Sequence, residues 1–327
     1  MIISRTPFRI SFVGGGSDLE AFYSRSQGAV LSTSINKYMY ISSHKYFDQE
    51  KFRVKYSQTE TVSDINELKH PILRETMRLF NVSGGLEISS IADIPSGTGM
   101  GSSSTFTVGL FHTLYAAKRT FVSKEQLSED ACNMEIEILK EPIGKQDQYA
   151  AAFGGLNVIR FNANGLVTVE PLYLKSDVYQ TLQDNLVLFF IGNARSASSI
   201  LIEQKKNVTS DDKFRIQKEM VDLVFELRDI LYQENLDKFG SLLHQNWILK
   251  KQLASGISNP EIDNIYDTAL RNGALGGKLL GAGAGGFMLF YCEQRNKHKL
   301  VSALHSLREL SFRFDQEGSK LIYFGDE

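Results

Sequence analysis

The segment that most restricts how this chain can fold is Pro95-Ser96-Gly97-Thr98-Gly99-Met100-Gly101-Ser102-Ser103-Ser104. Three alternate glycines and three consecutive serines run directly into a helical pattern with Phe106, Leu110 and Leu114 on one face. Glycines make turns, and a plain connector is the bland reading. An ordinary turn, however, rarely places such a run immediately before an amphipathic helix. Small residues let backbone N–H groups approach an anion, and a helix N-terminus offers donors with no partner within the helix. Phosphate binding is therefore the preferred reading. No Gly-Lys-Ser/Thr closes the loop, so it is not a Walker loop, and the protein-kinase signatures are absent.

Two more glycine-dense loops stand beside it. Phe8-Arg9-Ile10-Ser11-Phe12-Val13 alternates as a strand and passes at once into Gly14-Gly15-Gly16-Ser17-Asp18. Gly281-Ala282-Gly283-Ala284-Gly285-Gly286 satisfies G-x-G-x-x-G, yet it precedes the apolar strand Phe287–Cys292 instead of opening a helix, and no acid follows at Ser302 to Ser306. This context argues against a dinucleotide fold. It favours a wall packed closely on another loop or a ligand.

Charge narrows the ligand class. With 36 Lys+Arg against 38 Asp+Glu, no global positive field exists to hold nucleic acid, and any anion must be bound locally. Cys132 and Cys292 are far apart and form no C-x-x-C pair, which predicts reduced core thiols. Arg5 and Arg9 interrupt any signal-peptide core, and the longest strongly apolar run, Leu186 to Ile191, is too short to cross a bilayer. The expectation is a cytoplasmic protein with no membrane partner, acting on a small molecule.

At 327 residues, two domains are expected, 1–175 and 176–327, the boundary falling somewhere in 165–185. Further strands are predicted at Tyr38–His44, Phe52–Tyr56, Leu86–Ser90 and Lys320–Phe324, and helices at Pro71–Phe80, Leu236–Leu253 and around Leu300–Leu310. Ser123 and Gln126 suggest a capping box, with Leu127, Ala131, Met134 and Ile138 at helical spacing behind it. Asn259-Pro260-Glu261 opens a helix that stops at Gly273. Met220, Val224, Leu227 and Leu231 form another helical stripe.

Glu135, Glu137, Glu141 and Asp147 form the one acidic cluster of interest. For most of the glutamates a solvated helix face is the plain reading. A phosphate site nevertheless needs oxygen ligands for Mg²⁺, and a hydroxyl nucleophile benefits from a proton acceptor. Asp147, shortly after Gly144, is expected on a turn. The six histidines show no metal-ligand spacing, and Ser196, Ser198 and Ser199 sit in no nucleophile elbow and read as a helix cap.

Taken together, the chain resembles the GHMP kinases, the family of galacto-, homoserine, mevalonate and phosphomevalonate kinases. Arg5–Ile10 with Gly14–Asp18 looks like the first family motif, Pro95–Ser104 like the second and Lys278–Phe287 like the third. The resemblance implies an α+β fold, with an N-terminal domain like domain 2 of ribosomal protein S5 and a ferredoxin-like C-terminal domain. It implies an ATP-dependent sugar kinase using Mg²⁺. Pro95, Gly97, Gly99, Gly101, Ser102, Ser103 and Ser104 match the nucleotide loop, and Ser103 with Glu135, or failing it Glu137, the metal ligands. Asp147 matches the catalytic aspartate and Arg9 the basic residue beside it. Substrate contacts are implied at Asp18, Gly15, Gly16, Lys145, Arg195 and Gly283. Galactokinases read Gly-Glu-His-x-Asp where this chain has Gly14-Gly15-Gly16-Ser17-Asp18, which argues against galactose. The triple glycine, Pro142–Tyr149 and Arg195-Ser-Ala-Ser look instead like the branch acting on heptose 7-phosphate, near the fucokinases. The implied reaction is phosphorylation of the anomeric hydroxyl. A phosphorylated acceptor needs a second anion site, for which Arg5, Lys37, Lys145 and Arg195 are candidates.

Overall fold

The structure, a computed structural model, describes residues 1–192 and 197–325. In chain order the elements are β1 (Ile2–Val13), α1 (Glu20–Tyr23), β2 (Gly28–Lys45), β3 (Phe52–Lys55), β4 (Thr59–Val62), α2 (Pro71–Leu79), β5 (Leu86–Ala92) and α3 (Ser102–Ala117). There follow α4 (Lys124–Cys132), a π turn over Asn133–Ile138, α5 (Gln146–Phe153), β6 (Leu156–Phe161), β7 (Val167–Pro171), α6 (Ser176–Asp184), β8 (Leu186–Phe190) and α7 (Ala197–Asn207). The chain continues through α8 (Asp211–Tyr232), α9 (Phe239–Lys251), α10 (Pro260–Arg271), β9 (Ala274–Leu279), β10 (Phe287–Cys292), α11 (Gln294–Ala303), β11 (Arg308–Glu309), β12 (Phe314–Asp315) and β13 (Lys320–Phe324).

Two sheets organise these elements. The first is built around β2, which pairs β1 along one edge and, along the other, β6 through Gly28–Thr33 and β5 through Met39–Lys45. An eighteen-residue strand can serve two partners in succession on one edge, which explains why β2 starts ten residues before the predicted Tyr38. The second sheet runs β11-β8-β10-β9, all antiparallel. Numbered within that unit the order is 4-1-3-2 on a βαββαβ chain, the ferredoxin-like arrangement expected. The division at 175/176 falls between β7 and α6, but it does not separate the sheets cleanly. After β11 the chain returns to the first sheet, β12 pairing β2 and β13 pairing β1.

Helices α3 and α5 cover one face of the first sheet with α4 packed on them, while α8 packs on β1, β2 and α9, and α9 bridges from β1 to the second sheet. Phe12 of β1 meets Phe239 of α9 edge-on at 5.3 Å, and Phe239 in turn meets Tyr291 of β10 at 5.0 Å. The two sheets are thereby joined through one aromatic line. Among the described residues no helix is long and apolar enough to cross a membrane. Cys132 and Cys292 are both buried and unbridged.

The predicted one-sided helix after the glycine loop is instead buried nearly all round. Its polar residues tolerate this because their hydroxyls bond their own helix: Thr105 Oγ1 donates to Gly101 O (2.8 Å), Thr107 Oγ1 to Ser103 O (3.0 Å) and Thr113 Oγ1 to Gly109 O (2.9 Å). Half of the capping box forms: Ser123 Oγ accepts from Gln126 N at 3.2 Å, while the Gln126 side chain turns to Asp130. Asn259 caps α10 as predicted, accepting from Ile262 N at 2.9 Å. The helix expected around Leu300–Leu310 starts earlier, at Gln294, and ends at Ala303, because Arg308 and Glu309 are taken up as a strand against β8. Strands β6 and β7 are additions that the sequence reading did not contain.

Candidate active site

The site forms where three chain turns meet: the end of β1, the loop into α3 and the first turn of α5. Asp147 lies in that first helical turn, one step beyond the turn predicted for it. Arg9, on β1 and almost wholly buried, donates from Nε to Asp147 Oδ1 and from Nη2 to Oδ2, both at 2.7 Å. This planar fork fixes both carboxylate oxygens as a lysine point charge would not. The remaining Arg9 nitrogen, Nη1, donates to Gly99 O at 2.7 Å, tying the pair to the glycine loop. On the other side of the loop, a methyl group placed on Gly101 would stand 3.2 Å from Asp147 Oδ2. The loop and the carboxylate thus converge on one cavity of about 230 Å³.

The loop itself is held by backbone contact with the third glycine segment. A Cβ on Gly99 would stand 2.5 Å from Leu280 O, and one on Gly281 would stand 2.4 Å from the Gly99 Cα, so neither position has room for a side chain. This is the wall-on-loop packing predicted for Gly281–Gly286. Beyond Gly101 the α3 helix begins, and the first N–H groups of a sixteen-residue helix face the cavity end without helical acceptors.

Behind the loop, Ser103 Oγ donates to Glu135 Oε1 at 2.5 Å and Gln148 Nε2 donates to Oε2 at 2.7 Å. Glu135 is fully buried, and burial first, with the nearby Asp147 charge adding, pushes its carboxyl up to about 7 despite those hydrogen bonds. A carboxylate in such a place calls for a cation. Ser103 and Glu135 therefore suit Mg²⁺, which binds few protein oxygens and completes its shell with phosphate and water. Among the described residues no group of three or more His, Cys, Asp or Glu could hold a metal, so a cation at Ser103 and Glu135 would draw the rest of its shell from other oxygens. The π turn over Asn133–Ile138 sets the register: Glu135 points inward, whereas Glu137 is exposed and pairs with Lys140.

Asp18 closes the other end. It is buried and accepts from Gly16 N (3.1 Å), Gln146 N (3.2 Å) and Gln146 Nε2 (3.0 Å). Burial, and then the Asp147 charge, push it up to about 6. Gly144 is required here, since a Cβ would lie 2.0 Å from Asp18 Oδ2. Gly15 and Gly16 line the cavity in front of it. Asp18 also borders a second, larger cavity of about 850 Å³, to which Tyr23, Glu137, Lys140, Lys145 and Lys205 contribute.

Several expected site residues lie elsewhere. Pro95 is exposed outside the cavity, its carbonyl accepting from Thr98 Oγ1. Gly283 packs on Ile257, and Gly281 and Ala282 line the cavity in its place. Lys145 belongs to the larger cavity, donating to Gly165 O at 2.9 Å and standing over the Tyr23 ring. Arg5 stacks on Tyr38 and pairs with Glu317, and neither it nor Lys37 reaches either cavity. Arg195 and Ser196 fall outside the described residues. Among the cavity residues that received no role from the sequence are two cations, Lys250 on α9 and Lys278 on β9. Lys278 stands at the head of the third motif, and Lys250 follows the buried Asn246 and Trp247 at helical spacing, which were the available signals.

Comparison with known proteins agrees with this geometry. Residues 67–155 match the GHMP kinases N terminal domain and residues 227–310 match the GHMP kinases C terminal domain. A D-glycero-alpha-D-manno-heptose 7-phosphate kinase of Campylobacter jejuni is 30% identical over 98% of each chain. A galactokinase of Pyrococcus furiosus is 24% identical over 98% of this chain and 97% of that one. The crystal structure of a D-glycero-D-manno-heptose 1-phosphate kinase from Bacteroides thetaiotaomicron superposes with a TM-score of 0.82 over 100% of both chains at 23% identity, a likeness of fold. Both family domains in their order, and a relative of that identity along nearly the whole length, mean that this chain belongs to the GHMP kinase family.

Proposed function

We propose that this kinase transfers the γ-phosphoryl group of Mg·ATP to the anomeric hydroxyl of D-glycero-D-manno-heptose 7-phosphate, giving the 1,7-bisphosphate. The observation that carries this reading is the bidentate Arg9–Asp147 pair inside the glycine-loop cavity, which meets a larger cavity with room for a sugar phosphate at Asp18, Leu19 and Ile143. The heptose assignment rests on the likeness to the Campylobacter enzyme.

In this reading the glycine loop and the α3 N-terminus hold the triphosphate. Bound at Ser103 and Glu135, Mg²⁺ would supply charge neutralisation on the phosphates. Asp147 orients the acceptor hydroxyl and receives its proton as the new O–P bond forms, and the electron pair of the broken P–O bond leaves with ADP. Because the phosphoryl transition state is loose, positioning matters more than basicity, and a carboxylate already held by Arg9 suffices. In this reading Asp18 bonds sugar hydroxyls, and of the three lysines of the larger cavity Lys145 and Lys205 serve a distal phosphate, Lys140 being paired with Glu137. A cytoplasmic place of action is part of the proposal, supported by two buried unbridged thiols.

ADP release measured over free and phosphorylated heptoses and hexoses, with NMR of the product, tests the reading. Turnover is expected with the heptose 7-phosphate and a new phosphate at the anomeric position. Preferred turnover of fucose or galactose would make it a different sugar 1-kinase. Nucleotide binding without turnover on any sugar would make it a sensor.

A further inference from the structure

Lys278 is buried, 2% exposed, and lies on the face of β9 that meets α9. Gly276, two residues earlier on the same face, would place a Cβ 1.9 Å from Gly240 O of α9, so strand and helix touch backbone to backbone. That approach brings Lys278 beside Lys250 of α9, itself 5% exposed, and both line the smaller cavity with Arg9.

The cavity is lined by three cations, Arg9, Lys250 and Lys278, against two carboxylates, Asp18 and Asp147. Arg9 is matched by Asp147. Lys250 Nζ donates to Leu279 O at 3.1 Å and to Gly281 O at 2.5 Å. Among the described residues no hydrogen bond or ion pair is made by Lys278 Nζ, which opens on the cavity, and Ser11 Oγ, which lines the same cavity, is buried without a partner. A walled-in ammonium beside two other cations is costly, and a methionine would pack there at no electrostatic cost. Burial, then Lys250 and Arg9, hold the Lys278 amine well below its usual range. An arrangement of this kind serves an anion that arrives with the ligand. The Gly97–Ser104 loop and the Arg9–Asp147 pair line this same cavity, whereas neither Lys278 nor Lys250 lines the larger one, which shares only Asp18, Leu19 and Ile143 with it.

We propose that Lys278, flanked by Lys250, is a catalytic residue that contacts the non-bridging oxygens of the γ-phosphoryl group as it passes from ADP to the acceptor hydroxyl. The inference rests on the phosphoryl-transfer reading above. It gives the C-terminal half of the chain a direct part in the chemistry, since β9 and α9 both belong to it.

The test uses the full chain and the variants Lys278→Met, Lys278→Arg and Lys250→Met. Measured quantities are kcat, the affinities for ADP and for a non-hydrolysable ATP analogue, and ligand-free thermal stability. For Lys278→Met the expected result is a kcat lower by about 10²-fold or more. The preference for the triphosphate analogue over ADP is also lost, with a ligand-free Tm unchanged or raised. Lys278→Arg recovers part of kcat, and Lys250→Met shows a smaller fall. A lowered Tm with the triphosphate preference intact would show a structural lysine and overturn the proposal. So would a rise confined to the KM of a phosphorylated acceptor, which would place the acceptor's phosphate on Lys278. Should wild-type protein turn over no acceptor, the kinase reading fails on its own, and the triphosphate preference still decides the role of Lys278.

Discussion

Asp147 lines the cavity and Glu135 lies sealed behind its glycine loop, and the proposed reading gives the two carboxylates different tasks. Asp147 is partly open and held by a guanidinium, as an acceptor-orienting group must be. Asp147→Asn is expected to lower kcat by roughly 10²–10⁴-fold while leaving the affinity for ATP within a few-fold. Steady-state kinetics together with nucleotide titration check this, and an equal loss in both would remove Asp147 from the chemistry. Glu135 is sealed in and faces only neutral donors. Glu135→Gln should raise the Mg²⁺ concentration needed for half-maximal activity by about 10-fold or more, since an amide offers a metal one neutral oxygen. Nucleotide binding measured with and without Mg²⁺ provides a second readout, because the metal-free affinity should hardly change.

Among the elements, the contact between the second and third glycine loops has the least slack. Gly97 and Gly99 share the same positive φ, 74° and 79°, but a Cβ on Gly97 meets nothing within 4 Å while one on Gly99 strikes Leu280 O. Gly97→Ala should therefore cost only the backbone strain, about 1 kcal/mol. Gly99→Ala adds a collision between two backbones and should cost about 2–4 kcal/mol, together with a raised KM for ATP. Chemical denaturation of the two variants side by side isolates the contact, and equal destabilisation would mean that the loops yield easily. The π turn carries a similar lesson. Helical spacing placed Ile138 with the buried stripe, but the widened turn leaves Ile138 exposed and directs Glu135 inward.

At the scale of the whole molecule, the cavity stores electrostatic strain where the two sheets meet. Burial, with Arg9 adding, lowers the Lys250 amine to about 7 from 10.5. Between those values the unfolded chain binds a proton that the folded chain does not, so stability rises with pH across that window, and on acidification the loss is complete at about pH 7, below which both states carry the proton. Ligand-free Tm should accordingly climb from pH 7 toward pH 10 more steeply in wild type than in Lys250→Met, a difference on the order of 3–5 kcal/mol at full span. Parallel curves would mean that Lys250 titrates normally.

The chain order of residues determined a good deal unaided. Alternation and glycine placement marked β1, the nucleotide loop, the start of α3 and the capped α10, because those features are local and depend on backbone sterics and on neighbours a few residues apart. The candidates Arg9, Ser103, Glu135 and Asp147 were also named from the chain, by motif likeness. Only the tertiary structure decided what depends on distant segments meeting. It extended β2 by giving it partners on both halves, returned β12 and β13 to the first sheet, buried α3 all round and placed Gly283 against Ile257. It also brought Lys250 and Lys278 to the cavity, which no local pattern could signal, because the placement of an ammonium acquires meaning only when packing removes its water and turns it toward the cavity that the glycine loop also lines.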